Sequence, residues 1–128
     1  MEKYDLYING RWEKPSSGAY FESDNPYDGE IWAKIARGNE KDVDFAVKAA
    51  RSAFEDHWEP MKPTERGKIL VRLAELIERE ATRLGEIEVK DNGKLFAEMG
   101  AQTKYLAEWY RYFGGLADKV EGSVIPID

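Results

Sequence analysis

Apolar residues recur every three or four positions in two long segments of the chain, one on either side of Asn92-Gly93. This spacing predicts two amphipathic helices, from about 63 to 92 and from about 95 to 119. The Asn-Gly pair predicts the chain reversal between them, because both residues tolerate a positive φ. The first helix is predicted to bury Ile69, Leu70, Leu73, Leu76, Ile77, Leu84 and Ile87. The second is predicted to bury Phe96, Met99, Leu106, Trp109, Tyr110, Phe113, Leu116 and Val120.

The first 37 residues have a different pattern, in which short apolar runs alternate with turn residues. Strands over 4–8 and 11–13 flank Asn9-Gly10, which predicts a type I′ hairpin turn. Strands over 20–23 and 30–36 flank a second turn at 25–29. The first 37 residues are therefore predicted to form two small antiparallel β units.

A third helix is predicted between the β units and the long helices. Asn39 is a good N-cap, and Asp42 in the first turn suits the helix dipole. The predicted buried stripe consists of Val43, Ala46, Val47, Ala50 and Phe54. Within the long helices, Gly85 suggests a joint, and Gly114-Gly115 suggests either close backbone packing or an early helix end.

Composition narrows the class of protein. A chain of 128 residues has the length of one domain or part of one, and 42% hydrophobic residues is a value typical of globular proteins. The net charge of −6 disfavours a nucleic-acid partner, because phosphates need clustered positive charge. No apolar run approaches the roughly 18 residues of a membrane-spanning helix, and no signal peptide is visible, so a cytoplasmic protein is expected. The absence of cysteine excludes a cysteine nucleophile within this chain.

The residue types alone offer little chemistry. His57 is the only histidine and is interpreted as a solvent-facing residue at a helix end. The Asp91-Asn92-Gly93 turn is either a plain turn or a source of hard oxygen ligands for a cation. Aromatic residues cluster on the last helix, where they form either core or one wall of an apolar ligand channel. The residues by themselves therefore predict no catalytic set.

A series of short motifs nevertheless resembles a known family. In order they are YINGRW at 7–12, NPYDGE at 25–30, DVDFAVKAARSAF at 42–54, RGKIL at 66–70, DNGK at 91–94, RYFGGLAD at 111–118 and GSVIPI at 122–127. Together they resemble the N-terminal part of the NAD(P)-dependent aldehyde dehydrogenase superfamily, with the retinal/betaine-aldehyde-like branch most similar. The resemblance covers nearly the whole chain.

The resemblance implies an α/β fold of which residues 1–128 are the N-terminal portion. Two short antiparallel β units and three long amphipathic helices would flank a Rossmann-type cofactor domain. Members of the family oxidise an aldehyde to a carboxylic acid with NAD or NADP, through a catalytic cysteine that this chain lacks. The resemblance therefore implies an inactive, structural N-terminal fragment of a larger enzyme, which would be a homo-oligomer when full length.

Specific residues carry further implications of the resemblance. Many relatives hold a structural monovalent cation, Na⁺ or K⁺, with backbone carbonyls just before Asn-Pro and the aspartate of the Asp-x-Gly-Lys turn. The matching positions here are Ser23, Asp24 and Asp91. The helix that carries Tyr105 and Trp109 resembles the one that lines the aldehyde tunnel. Residues 123–128 resemble the start of an oligomerisation strand.

Two other classes of function stay open. One is a freestanding helical protein-interaction module that uses the aromatic face as a docking surface. The other is a small ligand-binding protein, which rests only on the aromatic cluster.

Overall fold

The computed structural model describes residues 1–127, which form five short strands, three α-helices and one turn of π-helix. The strands are β1 (Glu2–Tyr4), β2 (Leu6–Ile8), β3 (Arg11–Glu13), β4 (Tyr20–Asp24) and β5 (Ile31–Ala36). The helices are α1 (Glu40–Ala53), the π-helical turn (Phe54–Trp58), α2 (Pro63–Asn92) and α3 (Phe96–Leu116).

The strands form two sheets. These sheets contain one strand pairing that the sequence pattern does not predict. β2 and β3 pair as an antiparallel hairpin, and β4 pairs antiparallel with β5. The strand predicted over 4–8 is confirmed for Leu6–Ile8, which is β2, but it does not extend back to Tyr4 because the chain breaks at Asp5. β1, which precedes the break, pairs in parallel with β5 in a mixed sheet of order β1-β5-β4. The Tyr20 hydroxyl donates a 2.5 Å hydrogen bond to Asp5 Oδ1 and ties the break to β4.

The hairpin turn at Asn9-Gly10 is confirmed. Asn9 has a φ of 53° and Gly10 a φ of 77°, the two left-handed conformations that a type I′ turn requires. Ile8 pairs with Arg11 across the turn.

The beginning of α1 agrees with the prediction, but its buried stripe does not. The Asn39 side chain accepts from the backbone N–H of Lys41 and of Asp42, and the Asp42 side chain accepts from the backbone of Asn39, which completes a capping box. The predicted stripe is wrong within residues 1–127, where Val43 is 59% exposed and Val47 62% exposed.

Small residues close the contact between α2 and α3. The buried positions are Gly67, Ala74, Ala81 and Gly85 on α2 and Met99, Thr103, Ala107 and Gly114 on α3. All but Met99 are small, and we call these eight residues the small-residue seam. A Cβ added at Gly67 would lie 2.5 Å from the backbone oxygen of Gly114, so the two helix backbones approach closely there. Close packing is therefore confirmed for Gly114.

Gly85 is part of this seam and is not a joint. α2 continues without a break from Pro63 to Asn92. A Cβ at Gly85 would lie 3.3 Å from the Thr103 hydroxyl, so the missing side chain makes room for α3. The predicted joint is therefore wrong.

Many large apolar side chains of α2 and α3 lie beside the seam and not in it. Met99 is buried as predicted, while Leu70, Leu76, Ile77, Leu84, Ile87 and Tyr110 are half-buried. Burial is not observed within residues 1–127 for Ile69, Leu73, Phe96, Leu106, Trp109, Phe113, Leu116 and Val120. The periodicity identified the apolar residues correctly but not the residues that pack in the helix contact.

The chain reversal after α2 is confirmed, and α3 ends earlier than predicted. Gly93 takes a left-handed φ of 72°, and its N–H bonds Val89 O at 2.9 Å. α3 ends at Leu116 and not at 119, and Lys119 N bonds Leu116 O in a tighter turn. Residues 119–127 have no strand assignment. The strand over 123–128 stays a prediction, because a strand forms only beside another strand that pairs with it. Asp128 lies outside the described residues.

Candidate functional site

The end of β4 meets the end of α2, and this meeting point brings together two of the three predicted cation ligands. The Ser23 hydroxyl donates a 2.9 Å hydrogen bond to Asp91 Oδ1, across 68 positions in the sequence. The strand register is irregular between Ser23 and Asp24, so β4 bends away immediately afterwards. Asp24 follows with an exposed side chain.

The turn at 25–29 fixes the other side of this meeting point. Gly93 N–H lies at the end of α2, and a Cβ at Gly93 would stand 3.0 Å from Pro26 Cβ. Within the turn, Gly29 N bonds Asn25 O at 2.8 Å and Asn25 N bonds Glu30 O at 2.9 Å. The positions of Ser23 and Asp91 are therefore set by a closed turn on one side and a helix end on the other.

Two features add negative charge at this point, where Lys90 is the basic residue of the same helix turn. The last turn of a helix leaves unpaired carbonyl oxygens and carries the negative end of the helix dipole. Asp91 lies in that last turn, where a carboxylate adds further negative charge. Ser23 and Asp91 supply oxygen atoms, the ligand type that Na⁺ and K⁺ prefer as hard cations. Within residues 1–127 there is no group of three or more His, Cys, Asp or Glu side chains that could hold a metal ion.

The second candidate region is the aromatic face of α3, which we define as Tyr105, Trp109, Tyr112 and Phe113. Trp109 meets Tyr105 edge-on with ring centroids 6.1 Å apart, and it stacks on Phe113 at 6.3 Å. Tyr112 meets Phe113 edge-on at 5.3 Å. A surface cavity of about 290 Å³ is lined by Tyr105, Glu108, Trp109 and Tyr112.

The aromatic face is exposed to solvent in residues 1–127. Tyr105 is 61% exposed and Trp109 is 52% exposed, so neither belongs to the core formed by residues 1–127. Ring contacts at i,i+4 hold Tyr105, Trp109 and Phe113 in one row along the helix, and Tyr112 packs edge-on against the end of that row. The face can thus present a preformed apolar wall to another part of a protein or to a ligand.

Outside these two candidate regions, hydrogen bonds shift the pKa of the side chains of Tyr20 and Asp42. Hydrogen bonding to the Asp5 carboxylate raises the pKa of Tyr20 to about 12, because it stabilises the protonated phenol. Hydrogen bonds from the backbone N–H groups of Asn39 and Ser16 lower the pKa of Asp42, because they stabilise the carboxylate. The first contact fastens β4 to the break between β1 and β2, and the second fastens the beginning of α1 to the loop after β3.

The structure also shows contacts that the sequence pattern missed. Arg111 on α3 pairs with Glu108 on the same helix and with Glu78 on α2, beside a cavity of about 450 Å³. An arginine followed by glycines near a helix end gives no signal for this cross-helix pair. The predicted exposure of His57 is confirmed, and His57 lies in the π-helical turn. Among residues 1–127, no helix is both long and apolar enough to cross a membrane.

Comparison with known proteins identifies the family. Residues 12–128 match the aldehyde dehydrogenase family. The chain is 47% identical over 129 residues to the (Z)-2-((N-methylformamido)methylene)-5-hydroxybutyrolactone dehydrogenase of Acinetobacter baylyi, covering 100% of this chain and 26% of that protein. It is 41% identical to the mitochondrial aldehyde dehydrogenase of Rattus norvegicus, covering 96% of this chain and 24% of that protein.

Solved structures agree with this assignment. The chain superposes on the NAD⁺ complex of an aldehyde dehydrogenase from Bacillus cereus with a TM-score of 0.90 at 37% identity, covering 98% of this chain and 26% of that one. The chain belongs to the aldehyde dehydrogenase family. It spans about a quarter of the length of these relatives.

Proposed function

We propose that this chain is the N-terminal part of a longer NAD(P)-dependent aldehyde dehydrogenase, and that its own role is structural. The longer enzyme would oxidise an aldehyde to a carboxylic acid and reduce NAD or NADP. The nucleophilic cysteine of the family would come from residues outside this chain, which contains no cysteine. The three helices would flank the Rossmann-type cofactor domain.

The observation that carries this proposal is the apolar surface left open on all three helices. Val43 and Val47 on α1, Ile69 on α2, and Trp109 and Phe113 on α3 are each at least 45% exposed. Large apolar side chains exposed in such numbers are typical of a surface that a further layer of protein covers. In a longer family member, the cofactor domain would supply that layer.

Tyr105 and Trp109 are proposed to line the path of the aldehyde. They stand in one row on an exposed helix face, and the cavity beside them has aromatic walls. In the complete protein, Trp109→Ala is expected to raise KM for an apolar aldehyde more than it lowers kcat. Trp12→Ala is the matched control, because Trp12 is the same residue type and is also more than half exposed but lies on the hairpin. Equal effects of the two variants on KM would contradict the assignment.

Ser23, Asp24 and Asp91 are proposed to hold a structural Na⁺ or K⁺ ion. Ser23 and Asp24 would contribute their backbone carbonyls and Asp91 its carboxylate. The hydrogen bond from the Ser23 hydroxyl to Asp91 supports the proposal, because it holds the two segments together. The ion would neutralise the charge that Asp91 adds to the end of α2. Its role would be structural, holding the β4 turn against the helix end.

A cation-specific shift in thermal stability tests this site. The complete protein is expected to melt at a higher temperature in KCl or NaCl than in choline chloride at equal ionic strength. Asp91→Asn should abolish the difference, whereas Asp24→Asn should preserve it because the backbone carbonyl remains. A wild-type protein with the same melting temperature in all three salts would contradict the site.

The oligomeric state and compartment are also proposed from the family and the composition. Residues 123–128 would begin an oligomerisation strand in a homo-oligomer, and the enzyme would act in the cytoplasm. Some relatives carry the name mitochondrial, so localisation of the tagged complete protein tests the compartment.

Aldehyde-dependent formation of NADH or NADPH tests the main proposal. The complete protein should reduce NAD or NADP when an aldehyde is added, and residues 1–128 expressed alone should not. Turnover by residues 1–128 alone, or no turnover by the complete protein with any of a broad set of aldehydes, would overturn the proposal.

A helical protein-interaction module remains the second candidate function. The aromatic face of α3, exposed in the described chain, is the specific observation in its favour. It predicts that the 128-residue chain binds an apolar-sensing dye and associates in solution. A monomer by light scattering that binds no dye would exclude this alternative.

A further inference from the structure

The chain carries two Asn-Gly sequences that the fold holds in different ways, and this difference concerns their chemical stability. In an Asn-Gly sequence, the glycine backbone nitrogen can attack the side-chain amide carbon. A carbon–nitrogen bond forms, ammonia leaves, and the resulting succinimide ring is opened by water to aspartate or isoaspartate. Glycine permits the attack because no side chain shields its nitrogen.

Only two of the four asparagines precede a glycine. Asn25 precedes a proline, whose nitrogen cannot attack, and Asn39 precedes Glu40. Asn9-Gly10 and Asn92-Gly93 therefore form a natural pair within one molecule, with the same reacting groups in different surroundings.

Asn9-Gly10 lies at the tip of the hairpin, where no hydrogen bond in the described chain holds the two reacting groups. Both residues are exposed, and a Cβ at Gly10 would meet nothing within 4 Å. Within residues 1–127, neither the Asn9 side chain nor the Gly10 N–H has a hydrogen-bond partner. Asn9 is the only non-glycine residue with a positive φ in this part of the chain. The turn is held by strands of three residues each, and a two-stranded hairpin this short opens easily.

Asn92-Gly93 is held by three hydrogen bonds at the end of α2. The attacking nitrogen of Gly93 donates to Val89 O at 2.9 Å. The Asn92 amide donates to Glu88 Oε2 at 2.7 Å, and its oxygen accepts from Lys94 N at 2.9 Å. Attack of the Gly93 nitrogen on the Asn92 amide would require these bonds to open. Pro26 packs against Gly93 and restricts the same peptide further.

We propose that Asn9-Gly10 is a site of spontaneous deamidation and isoaspartate formation in this protein, and that the end of α2 protects Asn92-Gly93 from the same reaction. The reaction needs only water as co-reactant and releases ammonia. The proposal is independent of the enzymatic activity of the longer protein.

The product would change the hairpin. Either product adds a negative charge at the turn. Isoaspartate also inserts a methylene group into the backbone of a two-residue turn, so the Ile8–Arg11 pairing could not be kept. β2 contacts α1, so the change would reach the first helix.

Peptide mapping by mass spectrometry tests the proposal on the complete protein. The protein is incubated at mildly alkaline pH, once folded and once in denaturant, and conversion at each asparagine is followed over time. Dividing the denatured rate by the folded rate at each site removes the effect of the local sequence. Because three hydrogen bonds must open, we expect this protection ratio to be at least about tenfold larger at Asn92 than at Asn9. Equal ratios, or a larger ratio at Asn9, would overturn the proposal.

Two variants sharpen the test. Asn9→Gly keeps a residue that accepts a positive φ but removes the reacting amide, so labelling by an isoaspartyl methyltransferase should fall to background. Glu88→Ala removes one hydrogen bond from Asn92 and should accelerate its conversion without changing the rate at Asn9. Unchanged labelling in the first variant, or an unchanged rate at Asn92 in the second, would contradict the proposed site or the proposed protection.

Discussion

The α2–α3 pair and α1 differ in how much of their packing the described chain provides. α2 and α3 meet through the small-residue seam, in which glycine and alanine let the two backbones approach. α1 has a complete capping box but keeps its apolar stripe open, with Val43 and Val47 mostly exposed. The contact between α2 and α3 is therefore formed within residues 1–127, whereas the stripe of α1 is left exposed by them.

The largest expected effect comes from filling the seam. Gly67→Ala would place a Cβ 2.5 Å from the Gly114 carbonyl oxygen, so the helices must separate. We expect a loss of about 2–3 kcal/mol in the free energy of unfolding of the complete protein, measured by chemical denaturation. Gly115→Ala is the matched control, since a Cβ there meets nothing within 4 Å and alanine favours a helix. A stable Gly67→Ala variant would show that the seam is not closely packed.

Loss of the α1 cap should have a smaller effect. Asn39→Ala removes the acceptor for the backbone N–H of Lys41 and of Asp42, at a cost of about 1 kcal/mol. The same denaturation experiment measures it, with Asn39→Asp as a control that keeps an acceptor oxygen. An unchanged free energy of unfolding in Asn39→Ala would mean that protein packed on α1 from outside residues 1–127 holds this helix without its cap.

Asp42 makes the stability of α1 depend on pH in the acid range. Its folded pKa is lowered from the ordinary value of about 3.9 by backbone N–H groups, so its contribution is fully present above that value. The contribution is lost as the pH falls through the folded pKa. Because asparagine has one acceptor oxygen where Asp42 uses two, Asp42→Asn should be less stable than wild type at neutral pH.

The difference between Asp42→Asn and wild type should then narrow below about pH 4, as followed by thermal melting at several pH values. Asp44→Asn is the control, because its carboxylate pairs with Lys48 on the exposed face of the same helix. A constant difference between Asp42→Asn and wild type from pH 7 to pH 3 would contradict the assignment.

The smallest loss of stability is expected when the ion pairs of Arg111 at the α2–α3 contact are removed. Arg111→Ala removes the pairs with Glu78 and Glu108, which lie at the surface and should contribute less than about 1 kcal/mol. The loss should shrink further in high salt. Arg72→Ala, which breaks a pair within α2, is the control. A salt-independent loss larger than that of Gly67→Ala would mean that charge, and not the seam, holds the helices together.

The sequence pattern predicted local features well because local chemistry determines them. The Asn9-Gly10 turn, the Asn39 cap and the Gly93 helix end all follow from the conformations that these residues favour. The pattern failed where burial depends on a distant partner. Small residues recur every seven positions at Gly67, Ala74 and Ala81. This spacing indicates the helix contact, whereas the spacing of the large apolar residues does not.

The candidate sites were predictable to a smaller extent. Ser23 and Asp91 are 68 positions apart, and only the resemblance to the family linked them before the structure showed their hydrogen bond. The aromatic face was visible as a cluster, but exposure of Tyr105 and Trp109 could not be read from helical spacing. A buried face and an uncovered one have the same periodicity.

The mass of the native polypeptide tests the central claim most directly. An antibody against residues 1–127 would isolate the protein from its source, and mass spectrometry would give its length. A product about four times heavier than the 14.7 kDa of this chain would agree with relatives of which it covers 26%, and would provide the missing cover for α1 and the aromatic face. A native product of 14.7 kDa would contradict the account and favour the interaction module.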